Sequence, residues 1–292
     1  MARVLLCAVC VPMAAAAQSP PRVETLRERA TAYVEDFVTR FSQIVCEEHM
    51  VQESTSLPSV SGSGANARTD GRSAPAATLD MPAPGRREIR SDYLFVRRQT
   101  AEDWITFRDA FEVNGRPVRD RGDRLVKLLA NPSLENDALA RRLMLESTRH
   151  QLNPGLRSVN DPLLVLVLLQ DHYQARFRYT RGARDRKVGD EVWIVNFQER
   201  DRPTIVRSGG GDAPSRGRLW IDAGNGRVLK SEHQVGTSRV ATTFAWDPTF
   251  GLALPVEMRD DYTLGRTDYR ATATYSRFRR FDVSTSEKVQ EP

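Results

Sequence analysis

Gly217-Arg218-Leu219-Trp220-Ile221-Asp222-Ala223-Gly224-Asn225-Gly226-Arg227-Val228-Leu229-Lys230 reads as strand, turn, strand. Residues 219–222 and 227–234 favour extended backbone. The Ala223-Gly224-Asn225-Gly226 segment between them offers the residue types that accept the positive φ angles of a tight hairpin. The same alternation recurs on both sides of this hairpin. Tyr173, Ala175, Phe177 and Tyr179 alternate with Gln174, Arg176 and Arg178, and Trp193, Val195 and Phe197 alternate with Ile194, Asn196 and Gln198. Val240, Thr242, Phe244 and Trp246 share one face until Asp247-Pro248 breaks the run, and Leu254, Val256, Met258 and Tyr262 share another. Tyr269, Ala271, Ala273 and Tyr275 then shift phase to Phe278, which predicts a bulge. Consecutive strands joined by short turns make an antiparallel meander rather than βαβ units.

Toward the N-terminus the period changes from two to between three and four. Val23, Leu26, Ala30, Tyr33, Val34, Phe37, Val38 and Phe41 form one apolar face of a helix about five turns long. Ile44, Cys46, Glu48 and Met50 then alternate with Val45, Glu47, His49 and Val51, the pattern of a strand. In the stretch 54–85, 23 of 32 residues are Ser, Thr, Gly, Ala or Pro and none is aromatic. Such a segment cannot bury enough area to offset its ordering entropy, so it reads as a flexible insert within one domain. Residues 87–98 and 103–113 read as strands, with Ile105, Phe107, Phe111 and Val113 on one face and Asn114-Gly115 as a hairpin turn. Segments 124–130 and 133–151 read as helices. Asp161-Pro162 has the form of an N-cap and first-turn proline before the apolar run 163–169, which favours helix there. The fold class is therefore α+β: a strongly curved antiparallel sheet, half-barrel-like, packed on an N-terminal helix and two or three mid-chain helices.

Residues 1–17 read as a cleaved signal peptide. Arg3 gives the positive start, residues 4–17 are apolar, and Ala15-Ala16-Ala17 fits the cleavage site. The run of 14 residues is short of the roughly 20 needed to span a bilayer. Cys7 and Cys10 lie too early for a lipid-anchored start, and they leave with the signal. Cys46 is then alone in residues 18–292, so no internal disulfide forms and Cys46 is either a small buried hydrophobe or a reactive thiol. The expected location is the periplasm or beyond it. Across 292 residues, 43 bases face 38 acids for a net charge of +5. Arginine mostly alternates with Asp and Glu rather than forming the basic stripe of a nucleic-acid binder, so no nucleic-acid partner is expected.

The order of parts resembles the outer-membrane lipoprotein carrier superfamily: export signal, long helix, strand, mid-chain helices, and a meander carrying the 217–230 hairpin. Arg157-Ser158-Val159-Asn160-Asp161-Pro162, Glu199-Arg200-Asp201-Arg202-Pro203-Thr204 and Leu254-Pro255-Val256-Glu257-Met258 are also similar to segments of a group of uncharacterised exported bacterial proteins. The resemblance covers roughly residues 22–283. It implies a sheet wrapped around helices with a concavity for acyl chains.

The sequence supplies no His-Glu-x-x-His, no Gly-x-Ser-x-Gly, no P-loop and no Cys-x-x-Cys after the signal. On a strand, Cys46 and Glu48 face away from Glu47 and His49, so these four do not make one metal site. Asp260 and Asp261 likewise point apart and read as a solvated strand end. His49, His150, His172 and His233 each sit beside polar residues and read as surface histidines. Ser208-Gly209-Gly210-Gly211-Asp212 is glycine-rich but precedes no helix, so it reads as a loop. No catalytic residue, metal ligand or cofactor is assigned, and the balance is against an enzyme.

The aromatic strand faces carry the functional expectation. Trp193, Phe197, Phe244, Trp246, Tyr173 and Phe177 either form plain core or line a site for a lipid or lipoprotein acyl chain. The first expectation is non-catalytic carriage of a hydrophobic ligand at the cell envelope. The alternative is a structural or protein-interaction module of the envelope with a filled core.

Overall fold

The computed structural model describes residues 19–41, 44–56, 85–97, 104–119, 137–153, 159–208 and 211–280. The expected signal peptide, the helix at 124–130 and the stretch 57–84 lie outside the described residues. Helix α1 spans Val23–Phe41 and buries Leu26, Ala30, Val34, Phe37, Val38 and Phe41, the face its spacing predicts. Thr31 is a polar addition to that face.

Eleven strands make one open antiparallel sheet. They are β1 (Ile44–Ser56), β2 (Gly85–Arg97), β3 (Trp104–Val113), β4 (Arg116–Pro117), β5 (Phe177–Arg184), β6 (Val192–Glu199), β9 (Arg216–Asp222), β10 (Val228–Val235), β11 (Ser238–Asp247), β12 (Leu252–Leu264) and β13 (Thr267–Arg280), in the order β4-β3-β2-β1-β13-β12-β11-β10-β9-β6-β5. Two short strands, β7 (Arg207–Ser208) and β8 (Gly211–Asp212), make a separate hairpin between β6 and β9. Every pairing in the large sheet is antiparallel, and all but β1·β13 and β6·β9 join strands consecutive in the chain. Asn114 and Gly115 take positive φ angles of 49° and 74° at the β3–β4 turn, as their types predict. The bulge expected near Phe278 is present. Two steps along β1, from Val45 to Glu47, oppose three along β13, from Arg279 to Ser276, and Arg277 sits at φ 52°.

The curvature of the sheet follows from helix and strand dimensions. The Arg27 guanidinium lies over the Tyr179 ring on β5, while Phe41 meets Phe95 of β2 edge-on with centroids 5.8 Å apart. These two helix positions are about 21 Å apart along the axis at ~1.5 Å per residue. Eight strand spacings of ~4.8 Å separate β5 from β2 in the sheet, about 38 Å if it were flat. Only a sheet that bends around the helix closes that gap. Three helices complete the described chain: α2 (Asp137–Thr148), α3 (Leu164–Val167) and α4 (Asp171–Gln174).

Four sequence readings change. Tyr173 lies on α4 rather than on a strand, because β5 begins only at Phe177 and residues 171–174 make a single helical turn. Its i, i+2 relation to Ala175 mimics a strand period. On β3, Phe107 and Val113 do not share a face. A register shift opposite Arg90 and Ser91 places one extra residue in β3, so Arg108, opposite Tyr93, points inward and Phe107 the other way. His233 is a buried residue of β10, not a surface one. Asp260 and Asp261 do point apart, yet Asp260 is fully buried, so the strand is not solvated there.

Candidate functional site

The concave face of the sheet is the candidate site, and it has two unlike parts. In the first, β6 contributes Val195 and Phe197, β9 Leu219 and Ile221, β11 Val240 and Phe244, and β12 Leu254 and Met258, all in one cluster with α1. The helix is fixed to the strand ends by backbone groups that the sheet leaves unpaired. The Tyr33 hydroxyl accepts from the Ala253 amide at 2.9 Å, Arg29 donates to the Ala223 carbonyl, and Arg40 donates to the Phe250 carbonyl. Burial pushes the Tyr33 phenol up to about 12, so it stays a neutral hydroxyl at any physiological pH.

The cover over this part is completed by the segment 161–174. Asp161 accepts from the Leu163 amide at 2.8 Å, but the helix starts only at Leu164 with Leu163 as its N-cap, so Asp161 closes a turn ahead of the helix rather than capping it. Leu163, Leu166 and Leu169 then bury themselves in the same cluster as α1. Thr31 and Gln174 are buried between the two helical layers. Thr31 Oγ1 donates to the Leu169 carbonyl at 3.1 Å, and the Gln174 amide donates to Thr31 Oγ1 and to the Leu169 carbonyl. A few hydrogen bonds and apolar contacts, rather than a second sheet, hold this cover down.

Of the six aromatic residues singled out from the sequence, Phe177, Phe197 and Phe244 are buried in this cluster, and Tyr173 and Trp193 pack against it partly buried. Phe177 meets Phe197 edge-on at 5.9 Å. Phe197 also lies nearly parallel to the His233 ring, with centroids 6.2 Å apart. The Trp193 Nε1 is buried with no hydrogen-bond partner. Trp246 stands apart. It is 43% exposed at the end of β11, with the Arg227 guanidinium 3.4 Å over its ring, so it lies outside the group its strand period assigned it to. His233 is 2% exposed with Nε2 unpartnered, and burial pulls it down to about 4, so it is neutral.

The second part of the concave face, on β1, β2, β3 and β13, is ionic. Glu48 of β1 and Arg108 of β3 are 1% and 7% exposed and pair through Arg108 Nε at 2.6 Å. Tyr275 of β13 donates to the other Glu48 oxygen at 2.8 Å. Tyr93 of β2 donates to Asp161 at 3.0 Å, and Thr106 to the second Asp161 oxygen at 2.6 Å. Burial works against the Arg108 charge, but Glu48 beside it more than compensates and keeps the guanidinium protonated. Burial and the Glu48 charge raise Tyr275 well above the ordinary phenol range, and burial and Asp161 do the same to Tyr93. Both hydroxyls are therefore fixed donors. Sequence reading missed this group. The strand period put Glu48 with Cys46 and Met50, which was the available signal, but the β3 bulge that brings Arg108 to meet it leaves no mark in the sequence. Cys46 is itself fully buried, and burial raises its thiol far above the ordinary range. It packs as a hydrophobe.

No protein-family model matches the chain, and no curated protein matches it. Among solved structures it is similar to an outer membrane lipoprotein-sorting protein domain from Vibrio parahaemolyticus, at 14% identity and a TM-score of 0.40, over 89% of this chain and 95% of that one. It is also similar to a DUF1329 family protein from Desulfovibrio piger, at 11% identity and a TM-score of 0.39, over 92% of this chain and 96% of that one. Among the described residues no helix is long and apolar enough to cross a membrane.

Proposed function

We propose that the chain is an exported, non-catalytic carrier of a hydrophobic ligand, a lipid or a lipoprotein acyl chain, working in the periplasm at the cell envelope. The observation that carries this reading is the asymmetry of the concave face: a broad apolar sheet surface covered by one helix and the short helical segment 161–174. Only apolar walls avoid stranding polar groups beside an acyl tail. In the conformation described, Leu163, Leu166 and Leu169 fill the space such a tail would take. The ligand therefore replaces this cover, and it opens the site only as far as it binds the uncovered state better than the covered one. Phe177, Phe197 and Phe244 would then line the tail, with Trp193 and Tyr173 at its edge.

Native mass spectrometry of the protein purified from the envelope tests the reading directly, with co-purified lipid as the expected result. In solution, tryptophan fluorescence should change saturably during titration with a fluorescent fatty acid or lipopeptide. Phe244→Leu should alter that affinity while leaving the chain folded, since an apolar side chain still fills most of the ring's place and costs less than truncation to alanine. No saturable change across several lipid classes would overturn carriage.

The filled interior favours one second reading, an envelope interaction module. Its partner would pair with the free edge of β5, the last strand of the sheet.

A further inference from the structure

The opposite, convex face of the sheet contains a cavity of about 590 Å³ over β5, β6, β9, β10 and β11. Four arginines from three strands border it: Arg178 of β5, Arg216 and Arg218 of β9, and Arg239 of β11. The register makes them neighbours. Arg178 is opposite Gln198, Gln198 opposite Arg216, Arg216 opposite Gln234, and Gln234 opposite Arg239. The row therefore alternates arginine and glutamine across five adjacent strands.

Cations elsewhere on this face are paired. Arg277 and Arg90 share Glu47, Arg279 takes Asp92, and Arg259 takes Glu257. The row differs. Arg218 pairs with Glu232, which also takes Lys230, but Arg216 donates only to the neutral Gln234 amide, at 3.2 and 3.3 Å. Among the described residues no carboxylate pairs with Arg178 or Arg239. Within the cavity lining four guanidinium groups thus meet one carboxylate, and its low-dielectric walls concentrate their field. The cavity is of the size that holds a small molecule. Guanidinium forks match phosphate oxygens two at a time, and the neighbouring amide and hydroxyl groups of Asn196, Gln198 and Thr180 can satisfy the remaining oxygens.

We propose that this row is a binding site for a phosphate-bearing anion of at least two negative charges, separate from the concave face. Its source is either a lipid headgroup or a soluble phosphate ester.

Isothermal titration calorimetry with inorganic pyrophosphate, and co-sedimentation with phosphatidylglycerol or phosphatidylcholine vesicles, test this on the full chain. Saturable pyrophosphate binding that falls at least tenfold in Arg178→Ala/Arg239→Ala, and less in Arg178→Lys/Arg239→Lys, is the expected result. Both arginines are exposed, and an unchanged thermal melt confirms that the variants fold. Sedimentation with phosphatidylglycerol alone, competed by pyrophosphate, assigns the site to headgroups. Pyrophosphate binding without vesicle binding assigns it to soluble esters. Binding of neither probe, or equal binding by the alanine variant, overturns the proposal. Pyrophosphate has no acyl chain, so this result stands apart from the carrier test.

Discussion

The two parts of the concave face solve the same burial problem with opposite chemistry. Beneath α1 the sheet presents Val195, Phe197, Leu219 and Phe244, and the helix answers with Leu26, Phe37 and Phe41. Beneath Asp161 it presents Glu48, Arg108, Tyr93 and Tyr275, each bonded to a named partner. The apolar part gains stability roughly in proportion to area, and its members tolerate exchange for similar shapes. The ionic part returns less net energy because both charges are desolvated, but its directional bonds admit few alternative arrangements. A cover over the first can slide. A cover pinned to the second has a defined seat, which is how Asp161 sets where the 161–174 segment begins.

The comparison can be broken at several points. Phe37 is fully buried and stacked on Phe41 at 5.0 Å. Phe37→Ala should cost about 3–5 kcal/mol in denaturant unfolding, and an unchanged midpoint would remove the helix from the core. On the ionic side, Glu48→Ala leaves Arg108 buried without its counter-charge and should cost about 3–4 kcal/mol. Replacing both together, as Glu48→Leu with Arg108→Met, should recover most of that loss. If the double variant is no better than the single one, the pair is a source of stability rather than of specificity.

His233 sharpens the comparison because it is a titratable group in the apolar part. Its folded value of about 4 lies below the ordinary 6.5, so the unfolded chain takes up its proton first as pH falls. Stability from this residue is complete above pH 6.5 and declines between 6.5 and 4, by about 2 kcal/mol from pH 7 to pH 5. His233→Gln should flatten the melting temperature across that interval. The smallest effect belongs to Trp246. With its ring exposed under Arg227, Trp246→Ala should change stability by less than about 1 kcal/mol, and it should leave lipid-dependent fluorescence to the remaining tryptophans.

How far the sequence reveals these features depends on the range of the contacts involved. Helix α1 and the hairpins at Asn114-Gly115 and Asn225-Gly226 follow from local period and turn chemistry, and so do the strands of the meander. Tyr173 was misplaced because two residues in one helical turn cannot be told from two in a strand. Trp246 followed the right face but passed the end of the core. The Glu48–Arg108 pair and the arginine row depend on the registers of several strands taken together. For the row, β6 must pair with β9 across the β7–β8 hairpin. Alternation states which side a residue takes, not which neighbour it meets.

The β1·β13 seam bears on when this protein can fold. Ile44 pairs with Arg280, and the strands that join there sit in the middle of the sheet rather than at an edge. On either side of the seam every pairing but β6·β9 is between consecutive strands, so each wing can zip up from its own turns. Joining the wings requires closing a loop of nearly the whole chain, the kind of long-range contact that slows folding toward the millisecond-to-second range. Until β13 is available, β1 has only β2 beside it and α1 has only part of the surface it is meant to enter. A chain emerging N-terminus first therefore stays open until its last strand arrives.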